Sequence, residues 1–85
     1  MSRQYTEITV VGEDDTGLIA RVTTLLCERD INIEDLDKAV RDRLFRMRMT
    51  VDTSAMTCTE AELREALQEL GEELGVDIQV RFPAD

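Results

Sequence analysis

At 85 residues the chain is long enough for one compact domain and too short to carry an elaborate active site on top of a core. Nineteen acidic against ten basic residues give a formal charge of -9, a surface that repels phosphate backbones and anionic lipid headgroups, so nucleic acid and membranes are excluded as ready partners. The chain has no His, which removes Ser-His-Asp and Cys-His catalysis and every His-containing metal site, and Cys27 and Cys58 lack the CxxC spacing of a zinc or redox motif.

The first residues carry no apolar signal segment, and no apolar run approaches the length of a bilayer span, so a cytoplasmic chain is expected. Residues 5–11 alternate, with Thr6, Ile8 and Val10 on one face and Tyr5, Glu7, Thr9 and Val11 on the other, as a half-buried strand requires. An acidic loop bracketed by Gly12 and Gly17 follows, in which Asp14, Asp15 or Thr16 is expected to cap the next helix. In that helix Leu18, Val22, Leu25 and Leu26 recur at helical spacing, Ile19 widens the stripe, and the end falls near Arg29 or Asp30. Cys27 lies beside the stripe as a flank residue, and the two thiols read as buried or idle.

A second strand is expected from Ile31 to Val40, with the stretch 34–38 blurring its alternation as a bulge or an edge would. Arg41, Asp42 and Arg43 read as a hairpin turn without the usual Gly. The third strand, residues 44–51, points Phe45, Met47, Met49 and Val51 to the core and Leu44, Arg46, Arg48 and Thr50 away from it. Thr59 and Glu62 then form a capping box at the head of a helix whose stripe is Leu63, Ala66, Leu67, Leu70 and Leu74. Gly75 is placed to end that helix, and Val76, Ile78, Val80 and Phe82 alternate with polar residues up to Pro83 as a fourth strand.

The order βαββαβ predicts an α+β, ferredoxin-like fold, a four-stranded antiparallel sheet with two helices on one face, in a single domain over residues 1–85 with its core at about 5–82. The outer face is then polar, and its Arg46, Arg48 and Arg81 are expected to pair with Glu7 and Asp77 or with a second subunit. RNA readout would need aromatics on that face, where only Tyr5 stands. Glu13, Asp14 and Asp15 would attract a divalent cation only weakly; no metal and no cofactor is expected. Nine of the ten basic residues are Arg, and acidic excess with a single Lys, Lys38, suits a salt-loving source.

The glycine-bracketed loop concentrates the free amides of a helix start where neighbours can approach closely, which makes it a candidate ligand site. Together with the element order, Gly12-x-Asp14-x-Thr16-Gly17, the pair Asn32-Ile33 and the run Glu73-Leu74-Gly75-Val76 resemble an ACT domain, specifically the small stand-alone ACT proteins, from about Thr6 to Phe82. The resemblance implies a non-catalytic regulatory homodimer that binds an amino acid or similar metabolite at the subunit interface and signals to a separate protein partner. Carried onto this chain, the implied site is Gly12, Asp14, Gly17, Leu18, Ile19, Asn32 and Ile33. Amides near Gly17 and Leu18 would take the ligand's carboxylate, while Asp14 and the Asn32 side-chain oxygen would take its ammonium; Asn32 equally suits a turn cap. The alternative is a structural dimerisation module that binds no ligand.

Overall fold

The computed structural model describes residues 5–13 and 17–83. The elements run β1 (Tyr5–Glu13), α1 (Leu18–Glu28), β2 (Asn32–Arg41), β3 (Leu44–Asp52), α2 (Glu60–Leu74) and β4 (Asp77–Arg81). All pairings are antiparallel in the order β2-β3-β1-β4, which is the ferredoxin-like arrangement expected from the sequence. The central strands bury the side chains the alternation assigned inward: Ile8 and Val10 of β1 with Phe45, Met47, Met49 and Val51 of β3. Leu18, Val22 and Leu26 of α1 and Leu63, Leu67 and Leu70 of α2 close over them. Ile78, Val80 and Phe82 are only half-buried against this core, because β4 is an edge strand. Inside it the Thr6 and Thr53 hydroxyls hydrogen-bond each other at 3.2 Å, so the buried polar pair is satisfied.

Local chemistry sets the boundaries. The capping box is complete: the Glu62 amide donates to Thr59 Oγ1 at 3.1 Å and the Thr59 amide to Glu62 Oε1 at 2.9 Å. Gly75, at φ 70°, ends α2 in the left-handed region. Val76 does not open β4 as its alternation suggested; its amide donates to Gly71 O at 2.9 Å and keeps it in the helix's closing turn. Ile31 likewise belongs to the end of α1, donating to Leu26 O, so β2 opens one residue later, at Asn32. β1 runs on through Gly12 and Glu13, which pair with Phe45 and Leu44.

The blurred stretch of β2 is both a bulge and an edge: the register with β3 shifts between Ile33 and Asp35, and among the described residues β2 has no neighbour on its other side. The β2–β3 turn is built without Gly, by Asp42 at φ 51° and Arg43 at φ 71°. Two successive left-handed residues are what a tight hairpin needs to match the twist of its strands. No helix among the described residues is long and apolar enough to cross a membrane.

Candidate functional site

The candidate site is built on the passage from β1 to α1. Asp14, Asp15 and Thr16 lie outside the described residues, and with them the expected side-chain cap and the proposed role of Asp14. The N-cap position of α1 is Gly17, at φ 114°, and among the described residues no side chain hydrogen-bonds there. A Cβ placed on Gly17 would meet nothing within 4 Å. The first turn of α1 also carries no acidic residue. The helix start therefore keeps the partial positive charge of its first amides, those of Leu18 and Ile19 included, uncompensated by any described acidic side chain of its own first turn. Leu18 is buried in the core and Ile19 half-buried, so each offers a ligand its backbone amide rather than its side chain.

Gly12 stands at the same end for a different reason. A Cβ there would lie 2.5 Å from Val76 Cγ1 and 2.9 Å from Val76 Cβ, so its missing side chain makes room for the chain leaving α2. Alternation and spacing could not reveal that contact, because Val76 reaches Gly12 only through the tertiary fold.

Asn32 and Ile33 are not beside this turn. Gly12 is level with Phe45, whereas Asn32 is level with Asp52, seven residues further along β3. At a rise of about 3.3 Å per residue the two halves of the expected site are separated by roughly 23 Å within one chain. Asn32 is exposed, and its side-chain nitrogen donates to Glu34 Oε2 at 2.6 Å, a local bond within the strand. Ile33 is half-buried against the core.

The outer face of the sheet corrects the expectation that its arginines pair with Glu7 and Asp77 of the same chain. Arg81 stands opposite Glu7 in register, but Asp77 is separated from Arg46 by Val11, and Arg46, Arg48 and Arg81 form no ion pair with a described carboxylate. Directly opposed side chains at an exposed sheet surface gain little from closing on each other in water, which leaves these guanidiniums solvated. An open hollow of about 330 Å³ lies at the Tyr5 end of this face, lined by Tyr5, Glu7, Thr50, Arg81 and Phe82 among others. On the far edge Arg64 of α2 stacks over the Phe82 ring, 5.1 Å from its centroid, and donates to Val80 O at 3.2 Å. Cys27 is exposed and Cys58 half-buried, both as free thiols. No group of three or more His, Cys, Asp or Glu side chains gathers as a metal set among the described residues.

A family model described as an ACT domain matches residues 4–81. A UPF0237 protein of Methanopyrus kandleri is 45% identical over 74 residues, which cover 87% of this chain and 82% of that protein. Among solved structures, an ACT domain protein from Streptococcus pneumoniae superimposes with a TM-score of 0.82 at 31% identity, covering 95% of this chain and 91% of that one. The regulatory subunit of aspartate kinase from Thermus thermophilus gives a TM-score of 0.72 at 26% identity, covering 94% of this chain and 52% of that one.

Proposed function

Since the chain belongs to the ACT domain family, we propose that it is a non-catalytic regulatory module which binds a free amino acid, or a small metabolite carrying the same two charges, between two copies of itself. The occupied form would then signal to a separate protein. The observation that carries this reading is Gly17: a left-handed residue with open space around it heads a helix that no described side chain caps. Free helix-start amides in the open are natural donors to a carboxylate. The similarity to a regulatory subunit of an amino-acid kinase supports the regulatory part of the reading.

The second charge of the ligand requires a group that one copy does not supply at that end, since its own Asn32 lies at the opposite end of the sheet. A two-fold partner running antiparallel reverses those ends and carries its Asn32 toward the Gly17 turn. The ammonium then finds an amide oxygen, with Asp14 the further candidate, and Gly12, Leu18, Ile19 and the partner's Ile33 form the surroundings.

Calorimetric titration of the full chain against the twenty amino acids tests this directly. Binding of one or a few of them is expected, and it should weaken at least tenfold in Gly17→Val, where a β-branched residue cannot hold the left-handed turn. No heat from any of them at millimolar concentration would leave the structural dimerisation module as the reading; the filling of the space at Gly12 by Val76 already suits that alternative.

A further inference from the structure

We propose that Arg64 is a latch that keeps a second copy of this chain off the free edge of β4, an edge whose residues would otherwise pair with their own copy, antiparallel, about Gln79. The latch acts on this sheet edge alone and is independent of any ligand at the Gly17 turn.

The unpaired amides and carbonyls of a strand edge are a template for one more strand wherever they are left open. β4 is five residues long, and among the described residues it is bonded on one side only, by β1. Arg64, exposed on α2, reaches across to this edge: its guanidinium lies over the Phe82 ring, 5.1 Å from the centroid, and Nη1 donates to the Val80 carbonyl at 3.2 Å. A strand so short offers few acceptors, so occupying that carbonyl removes a large share of what a newcomer could bond. Pro83, with no amide hydrogen, closes the far end of the edge. Stacking on the ring holds the planar guanidinium in place, which keeps the carbonyl covered rather than shared with water.

The edge needs such a guard because its side chains complement themselves. Ile78 and Val80 are half-buried against the core, while Asp77, Gln79 and Arg81 are exposed on the other side of the strand. A two-fold axis through Gln79 sets Asp77 against the partner's Arg81 and Ile78 against the partner's Val80, each twice by symmetry. With the axis at Ile78, Arg81 meets Gly75; with it at Val80, Asp77 meets Pro83. Of the three registers only the first answers both charges. Both are open to an answer: Asp77 accepts from Gln79 at 3.3 Å, and Arg81 forms no ion pair with a described carboxylate. Beside the edge lies an open hollow of about 410 Å³, lined by Arg64, Gln68 and residues 77–80, which leaves room for the partner's Ile78 and Val80. Arg64 stands at the Val80 end of that hollow, where the pairing would have to begin.

Sedimentation of the full chain over a concentration series in about 0.5 M KCl, where repulsion between acidic copies is screened, tests the latch as a gain of association. Arg64→Ala removes the side chain, and Arg64→Met keeps an apolar stem over Phe82 while dropping the charge. Far-ultraviolet circular dichroism establishes that the variants fold. Both are expected to self-associate at least about tenfold more tightly than the parent, whatever the parent's own state. Each removes a positive charge from an acidic chain, so net charge alone predicts the opposite. Adding Asp77→Arg to Arg64→Ala should abolish the gain, and adding Arg81→Asp as well should restore it to within about threefold. Variants that sediment like the parent, a gain confined to Arg64→Met, a gain that Asp77→Arg leaves intact, or a charge exchange that restores nothing overturns the proposal.

Discussion

Gly12 and Gly17 flank one turn and are glycine for opposite reasons. At Gly12 the constraint is space: besides Val76 Cγ1 and Cβ, the Val76 Cα backbone atom would stand 3.3 Å from an added methyl group, so the overlap is not relieved by turning a flexible side chain. At Gly17 the constraint is torsional, since φ is 114° and nothing lies within 4 Å. Gly12→Ala is therefore expected to destabilise the fold by about 1–3 kcal/mol, the usual range for overpacking a close contact. Urea unfolding checks it. Val76→Ala removes the two branch carbons and should recover part of that loss, a coupling that a double-mutant cycle reads as non-additivity. An unchanged midpoint for Gly12→Ala would mean that the chain leaving α2 yields at no cost, and the packing role assigned to Gly12 would be withdrawn.

The two helices divide stability and function between them. α2 is closed at both ends, by the Thr59–Glu62 box and by Gly75, whereas α1 begins at a glycine that no described side chain caps. Thr59→Ala is expected to cost about 1 kcal/mol, because the Glu62 amide loses its acceptor and the reciprocal bond loses its geometry. The fall in thermal midpoint measures it, and an amino-acid titration of the same variant should be unchanged, since Thr59 heads α2 and it is the other end of that helix, at Glu73, that reaches α1 through Arg21. Capping chemistry of this kind is written in adjacent residues, which is why α2 and the alternating β3 could be read from the chain alone. The hairpin at Asp42 and Arg43 is less legible, because nothing in an Asp-Arg pair announces two left-handed residues. The bulge after Ile33 showed only as a lapse in alternation. Least legible was the site: Gly12 and Asn32 belong to neighbouring motifs in sequence, and only the register through β3 reveals that they stand at opposite ends of one copy.

The whole molecule carries its charge largely uncompensated. Ion pairs such as that of Arg21 with Glu73, which ties α1 to α2, are exposed, and Arg46, Arg48 and Arg81 stay apart from the described carboxylates. An exposed pair contributes under about 1 kcal/mol. Repulsion within a chain of formal charge -9 is therefore the larger electrostatic effect, and it opposes both folding and the approach of a second copy of equal charge. Salt acts on these through distance. Raising KCl from about 0.1 M to about 1 M shortens the screening length from roughly 10 Å to roughly 3 Å, which removes repulsion across the molecule while sparing groups in direct contact. The thermal midpoint is accordingly expected to rise by several degrees over that range, and dissociation of the proposed homodimer to weaken in step. Chloride is the informative salt, because sulfate stabilises folded proteins by exclusion from their surfaces whatever their charge. Calorimetric melting curves in KCl, paired with sedimentation at the same concentrations, separate the two effects. A flat midpoint would show that the acidic excess is tolerated without penalty in dilute buffer, and the salt-loving origin inferred from nine arginines and a single lysine would lose its physical basis.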